Sequence, residues 1–216
     1  MLDVKWKFDT NGREFGGCLN RPVIDGNTLY IGSDDSYFYA IDKRFGTVDW
    51  SFSTGAHRVR CCAVIGPDLI YISSRGTSPE IEDIDVKVFA LEKTGERAWD
   101  FKIEGGLINL PSCEGATERM KKGYSSAEYS TETNMLYLGA TDNIVYALDG
   151  TTGEEIRNFK TDGEIWTTPV YKDGVLYTGS NDNKLYALDG NTGEKIWEFE
   201  TEGWVESGPV IKNKIV

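Results

Sequence analysis

The chain has 216 residues, with 35 acidic against 23 basic side chains, a net charge of −12, 39% hydrophobic residues and a mean hydropathy of −0.40. This is the composition of a globular chain with enough apolar material for a core. Its negative charge repels phosphate backbones and anionic lipid, which excludes nucleic acid and membrane surfaces as partners. No apolar run reaches the length of a membrane span. The start, Met1 to Phe8, lacks the basic and apolar stretches of a signal peptide, so either the protein is cytoplasmic or its true start lies upstream. Four cysteines in a chain this long make no disulfide scaffold: Cys18 and Cys113 stand alone, whereas Cys61 and Cys62 are adjacent.

In chain order, the first recognisable element is Trp6-Lys-Phe8, which returns as Trp50-Ser-Phe52, Trp99-Asp-Phe101 and Trp197-Glu-Phe199, and as Arg157-Asn-Phe159 with the Trp replaced. Positions 6, 50, 99, 157 and 197 lie 44, 49, 58 and 40 residues apart, a unit of about forty residues with insertions. Between closing motifs come Tyr30-Ile-Gly-Ser33, Tyr137-Leu-Gly-Ala140 and Tyr177-Thr-Gly-Ser180. Each unit then has Tyr39-Ala-Ile-Asp42, Phe89-Ala-Leu-Glu92, Tyr146-Ala-Leu-Asp149 or Tyr186-Ala-Leu-Asp189. Turn pairs such as Asp25-Gly26, Asp149-Gly150, Asp173-Gly174 and Asp189-Gly190 separate the apolar runs.

Each unit therefore predicts four short antiparallel strands, the first innermost and the fourth outermost, which is one propeller blade. The glycines at 46, 95, 153 and 193 are expected to turn the chain tightly between third and fourth strands. The following Trp offers a flat surface for stacking on the neighbouring blade.

The string Leu185-Tyr-Ala-Leu-Asp-Gly-Asn-Thr-Gly-Glu-Lys-Ile-Trp197 resembles the PQQ-like, or tryptophan-docking, propeller repeat. The resemblance is sharpest over 137–199. It implies an all-β propeller of four-stranded antiparallel blades. Two groups share the repeat: quinoprotein dehydrogenases, which bind pyrroloquinoline quinone in an eight-bladed propeller, and non-catalytic propellers such as the outer-membrane assembly lipoprotein. The repeat itself does not imply a bound cofactor. The sequence predicts a single domain over 1–216 with four complete blades and parts of a fifth, an open arc or a fragment of a larger propeller. It opens on a fourth-strand motif at 6–8 and closes with a first strand at 203–211 and the start of a second at 214–216.

Two insertions fall on one rim. Pro169 follows Arg157 by 12 residues, but Ala127 follows Trp99 by 28, which places the extra residues at 105–123. The second unit carries its own at 75–86, between second and third strands. Long loops on a rigid scaffold are where binding resides, so a protein partner is expected at this rim. The same rim holds Cys61-Cys62, aligned with Thr167-Thr168 at the start of an innermost strand, and His57, Arg58 and Arg60 just before it.

Adjacent Cα atoms about 3.8 Å apart fall short of the usual disulfide separation of about 4.4–6.8 Å, so a bridge between them is strained, and two buried thiols are the alternative. The resemblance implies a second reading for the pair. Quinoprotein alcohol dehydrogenases carry an adjacent Cys-Cys disulfide against the quinone at the corresponding place. That reading implies pyrroloquinoline quinone and Ca²⁺, with Cys61, Cys62, His57, Arg58 and Arg60 beside the cofactor. This chain departs from that pattern. Pro67 stands where that family has an Arg, Leu19-Asn-Arg-Pro22 lacks its acidic residue, and nothing matches its calcium ligands or catalytic Asp.

Glu80, Glu82, Asp83 and Asp85 lack the spacing of a calcium loop, and no phosphate loop or nucleophile elbow occurs. The function expected is therefore a non-catalytic protein-binding or scaffold propeller without cofactor. The alternative is a fragment of a quinoprotein dehydrogenase. The resemblance implies a place outside the cytoplasm.

Overall fold

The structure is a computed structural model describing residues 3–10, 21–55, 57–59, 62–76, 86–103 and 127–212. The described residues contain seventeen strands and no helix. The first blade is β1 (Val23–Asp25), β2 (Thr28–Gly32), β3 (Tyr37–Asp42) and β4 (Val48–Ser53). The second is β5 (His57–Arg58), β6 (Val64–Ile65), β7 (Leu69–Gly76), β8 (Val86–Glu92) and β9 (Arg97–Ile103). The third is β10 (Glu128–Ser130), β11 (Met135–Gly139), β12 (Ile144–Asp149) and β13 (Glu155–Lys160). The fourth is β14 (Val170–Lys172), β15 (Val175–Ser180), β16 (Lys184–Asp189) and β17 (Lys195–Glu200). Each sheet is antiparallel with neighbours in chain order, as four blades require.

The second blade departs from the plan. Its innermost position is shared by β5 and β6, both paired to β7. Pairing runs Arg58↔Arg75 and resumes at Val64↔Tyr71, two residues out of register. The expected innermost strand therefore begins at Val64, after Cys62.

Every blade kinks at one place. The ladder between third and fourth strands shifts register at Ala40/Ile41, Ala90/Leu91, Ala147/Leu148 and Ala187/Leu188. In each, Ala pairs with the closing-motif residue, Trp50, Trp99, Arg157 or Trp197. The residue before that position is left over, and Ile156 and Ile196 are exposed there. A bulge re-aims the side chain that follows it, here toward the next blade.

The core is three layers, one between each pair of successive blades. Phe38, Ala40, Val59, Ile70, Phe89 and Leu91 fill the first. Val88, Ala90, Ile103, Leu136, Leu138 and Leu148 fill the second. Tyr137, Val145, Ile165, Leu176 and Leu188 fill the third. Each layer is sealed by the closing side chain. Trp50 Nε1 donates to the Lys93 carbonyl at 2.9 Å, and Trp99 Nε1 to the Gly150 carbonyl at 3.1 Å. The rings lie over Gly95 and Gly153, both in the left-handed region at φ 93° and 74°, where a Cβ would come within 2.7 Å and 2.6 Å of the indole. Glycine there serves both the turn and the ring above it.

Residues 3–10 form no strand, yet they repeat this contact. Trp6 Nε1 donates to Lys43 O at 3.0 Å, its ring covers Gly46, and Phe8 meets Tyr39 edge-on at 5.0 Å. They occupy the place of a preceding blade's outermost strand. The first strand expected at 203–211 likewise makes no ladder; Lys212 alone forms a bridge. The path of the segment follows its contacts with the fourth blade, where Val205 N–H donates to Ser180 O and Gly208 passes the Thr168 backbone.

Candidate partner-binding rim

The second-to-third turns and the fourth-to-first links are expected on one face, and hydrogen bonds tie them together. Thr54, Thr161 and Thr201, each just after a fourth strand, donate both N–H and hydroxyl to the carbonyls of Ser36, Asn143 and Asn183. Those three turn residues are left-handed, at φ 73°, 71° and 70°, a conformation Asn tolerates through its short polar side chain.

One residue earlier stands an aspartate with a role that the repeat alignment does not show. One oxygen of Asp35, Asp142 or Asp182 accepts the N–H two residues on, at 3.0, 3.1 and 3.1 Å. The other accepts the hydroxyl of Tyr39, Tyr146 or Tyr186 at 2.7, 2.5 and 2.6 Å. Burial, and then the carboxylate, pushes each phenol above the ordinary tyrosine range. These tyrosines act as donors and stay protonated. The signal was present as Asp-x-x-x-Tyr, in which an aspartate faces a tyrosine four residues on across the turn.

The links are pinned to the preceding blade. Val59, Ile165 and Val205 N–H groups donate to Ser33, Ala140 and Ser180 carbonyls at 3.1, 3.1 and 3.2 Å. Their side chains cover Gly32, Gly139 and Gly179, where a Cβ would approach to 2.5, 2.4 and 2.3 Å. This equivalence sets Cys62 at the place of Thr168. Thr167, its neighbour, is buried and bonds the hydroxyl of Thr178 and the backbone of Gly179.

At this rim the second blade is different. Phe89 stands where the other blades have the tyrosine. The β7–β8 ladder runs on to Arg75↔Val86, where its equivalents end at Gly32↔Phe38, Gly139↔Val145 and Ser180↔Lys184. His57 and Arg58 pair with the far end of that ladder instead of forming an open link. Of the residues singled out from sequence, Cys62 is a half-buried free thiol and Arg58 is half-buried. Arg60, Cys61, the four acidic residues at 80–85, residues 77–85 of the insertion at 75–86 and the whole insertion at 105–123 lie outside the described residues. Among the described residues no group of three or more His, Cys, Asp or Glu is arranged to hold a metal.

One interblade slot is imperfect. Arg157 lies where the Trp stands elsewhere. Its Nη1 donates to Gly190 O at 3.0 Å, and its stem passes Gly193. A cavity of about 20 Å³, lined by Tyr137, Leu176 and Leu188, remains beside it. That is room for one water and far too little for a quinone.

Four antiparallel blades, each bulged at its closing residue, with Trp50 and Trp99 laid on the glycine turn of the next blade, define a β-propeller of the PQQ-like repeat class. The sequence pattern of the family described as outer membrane protein assembly factor BamB matches residues 82–215, more than half of the chain, and the chain belongs to that family. No curated protein matches it. Among solved structures it is similar to BamB from Moraxella catarrhalis, at 22% identity with a TM-score of 0.62, covering 84% of this chain and 49% of that one. It is similar also to a europium-containing methanol dehydrogenase, at 14% identity and TM-score 0.70, covering 92% and 45%. A third is quinohemoprotein alcohol dehydrogenase from Comamonas testosteroni, at 17% and 0.63, covering 85% and 36%. At these identities the likeness is one of fold, and the chain spans half or less of each of these structures.

Proposed function

We propose that the chain is a non-catalytic propeller module that holds a protein partner on the rim carrying the 75–86 and 105–123 insertions. The observation that carries this reading is the second blade. There the β7–β8 ladder is the longest of its kind, and the segment before the innermost strand is pulled into the sheet by its far end. A strand ladder that runs out to an inserted segment gives a partner a place to bind on a paired scaffold. The family description, an assembly factor, and the acidic balance of the chain fit a protein partner outside the cytoplasm.

Photo-crosslinking groups at Glu80 and Glu114, in cells that make the protein, are expected to capture one discrete protein. The same group at Asn27 on the opposite rim is expected to capture none. Equal capture from both rims overturns the reading. So does quinone-dependent dye reduction after addition of pyrroloquinoline quinone and Ca²⁺, which instead supports the dehydrogenase reading of Cys61-Cys62.

A further inference from the structure

The rim end of the second blade gathers positive charge in a chain of net charge −12. Along the described ladders, charged residues stand directly opposite one another in three places. In the fourth blade the pair is of opposite sign, Lys184↔Glu200. The other two, Arg58↔Arg75 and Lys87↔Lys102, are of like sign, and both stand where the β7–β8 ladder reaches the rim. Side chains directly opposite have Cβ atoms about 4.5–5.5 Å apart, so like charges there destabilise a sheet. The row in the second blade reads Ser74, Lys87 and Lys102. Its counterparts are Ser33, Tyr37 and Ser53, then Ala140, Ile144 and Lys160, then Ser180, Lys184 and Glu200, and none repeats a charge.

The same row holds an orphaned hydroxyl. Ser33 and Ser180 each accept a turn N–H, from Asp35 at 3.3 Å and from Asp182 at 3.2 Å, and Ser180 Oγ donates to the Gly163 carbonyl at 3.0 Å. The second blade removes both kinds of partner. Its ladder continues past Ser74 where the others turn, and residues 57–58, which correspond to 163–164, pair with 75–76. Ser74 is 2% exposed, and its Oγ has no partner among the described residues. Asp100, two residues before Lys102 on the same face, is engaged by Arg97 at 3.0 Å. An unbonded buried hydroxyl costs stability, as does the like-charged pair beside it. Two such conflicts in one row mark a place of use.

We propose that Ser74, Lys87 and Lys102 hold a carboxylate from an acidic segment of the protein partner. The proposal rests on the binding rim argued above and names the chemistry of what that rim holds. A carboxylate between the two ammonium groups relieves their repulsion and gives the Ser74 hydroxyl an acceptor, which answers both conflicts at once. Lys87 is half-buried and Lys102 exposed, so the patch is reached from solvent. Elsewhere the acidic balance of the chain repels such a segment, so the patch fixes where it docks.

Fluorescence anisotropy with a labelled hexaglutamate peptide tests this, with hexaglutamine as its neutral counterpart. Hexaglutamate is expected to bind the 216-residue chain and hexaglutamine is not. Lys87→Gln with Lys102→Gln should weaken binding about tenfold, the loss of two ion pairs at the surface. Ser74→Ala should weaken it about threefold. Neither variant should lower the melting midpoint, because each removes a conflict from the free chain. Lys172→Gln, on the opposite rim, should change nothing. Unchanged binding in either rim variant, or a lowered midpoint, overturns the proposal. So does displacement of the peptide by inorganic phosphate at equal concentration, since the site then takes a free anion. Coupling between these lysines and Glu80, Glu82, Asp83 and Asp85 in a double-mutant cycle of midpoints also overturns it, since the chain's own insertion is then the occupant. In cells, Lys87→Glu with Lys102→Glu should abolish crosslinking from Glu80. Undiminished capture leaves the rim reading standing and overturns this one, whereas equal capture from both rims overturns the two together.

Discussion

The interblade contact reduces to one ring over one glycine. At Gly153 two costs combine. Its φ of 74° disfavours any Cβ, and that Cβ lies 2.6 Å from the Trp99 ring. Gly26, at φ 59°, has nothing within 4 Å of the same atom. Gly153→Ala should therefore cost more than Gly26→Ala. The conformational part is about 1–2 kcal/mol in either, and overlap with the ring adds about 1–3 kcal/mol. Urea unfolding of the two variants measures the difference, and equal losses would mean that the ring moves freely. Arg157 is the inverse case. Its stem clears a Gly193 Cβ by 3.2 Å where the indoles come to 2.6–2.7 Å, and the cavity of about 20 Å³ adjoins it. Arg157→Trp should fill that space and keep a donor for Gly190 O, stabilising the chain by about 0.5–2 kcal/mol. A lower unfolding midpoint would show that the slot has closed around the guanidinium.

At the scale of the strand, β10 carries the exception. Glu128 occupies the position held by Val23, Val64 and Val170 in the other blades. Burial raises its carboxyl above the ordinary range, and a hydrogen bond from the Tyr171 backbone offsets part of that. A raised folded value means that the fold favours the protonated acid. The stability this group allows is complete below the ordinary glutamate value of about 4.3 and is lost as pH rises through the raised one. Glu128→Val is thus expected to stabilise the chain near pH 7 and to gain less at about pH 4. Denaturant midpoints at the two pH values test this, and a gain independent of pH would assign the effect to packing alone. The kink before each closing residue belongs to this scale too. The bulge at Ala-Leu or Ala-Ile leaves the residues at 49, 98, 156 and 196 unpaired and turns the next side chain onto the neighbouring blade. The repeat showed that Trp and Gly recur, but not that an extra residue between Ala and Trp does the aiming.

At the scale of the molecule, the absence of a single core is the main consequence of the repeat. Each layer needs two blades, so stability rests on nearest neighbours, and each end blade has one face to satisfy. The entry face is covered by Trp6 and Phe8. The exit face shows Trp197, Phe199 and Trp204 to solvent. The proposed binding rim runs across this order rather than along it, because it is built from turns that every blade contributes. One blade there has lengthened its ladder and exchanged tyrosine for phenylalanine.

The sequence by itself determined the strand content, the four-strand unit, the turn positions and the four complete blades. Those follow from local rules: alternation along a strand and residues that permit positive φ. Its interrupted spacing also placed two insertions on one expected rim. Only the tertiary structure decided which carbonyl each Trp meets, that Arg157 takes a tryptophan's place, and that Asp35, Asp142 and Asp182 bond tyrosines. It also decided that His57 and Arg58 join the sheet ahead of Cys62. The interblade contacts join residues 33 to 53 positions apart, and their partners are set by how one twisted sheet lies on the next. Spacing within one unit does not encode that relation.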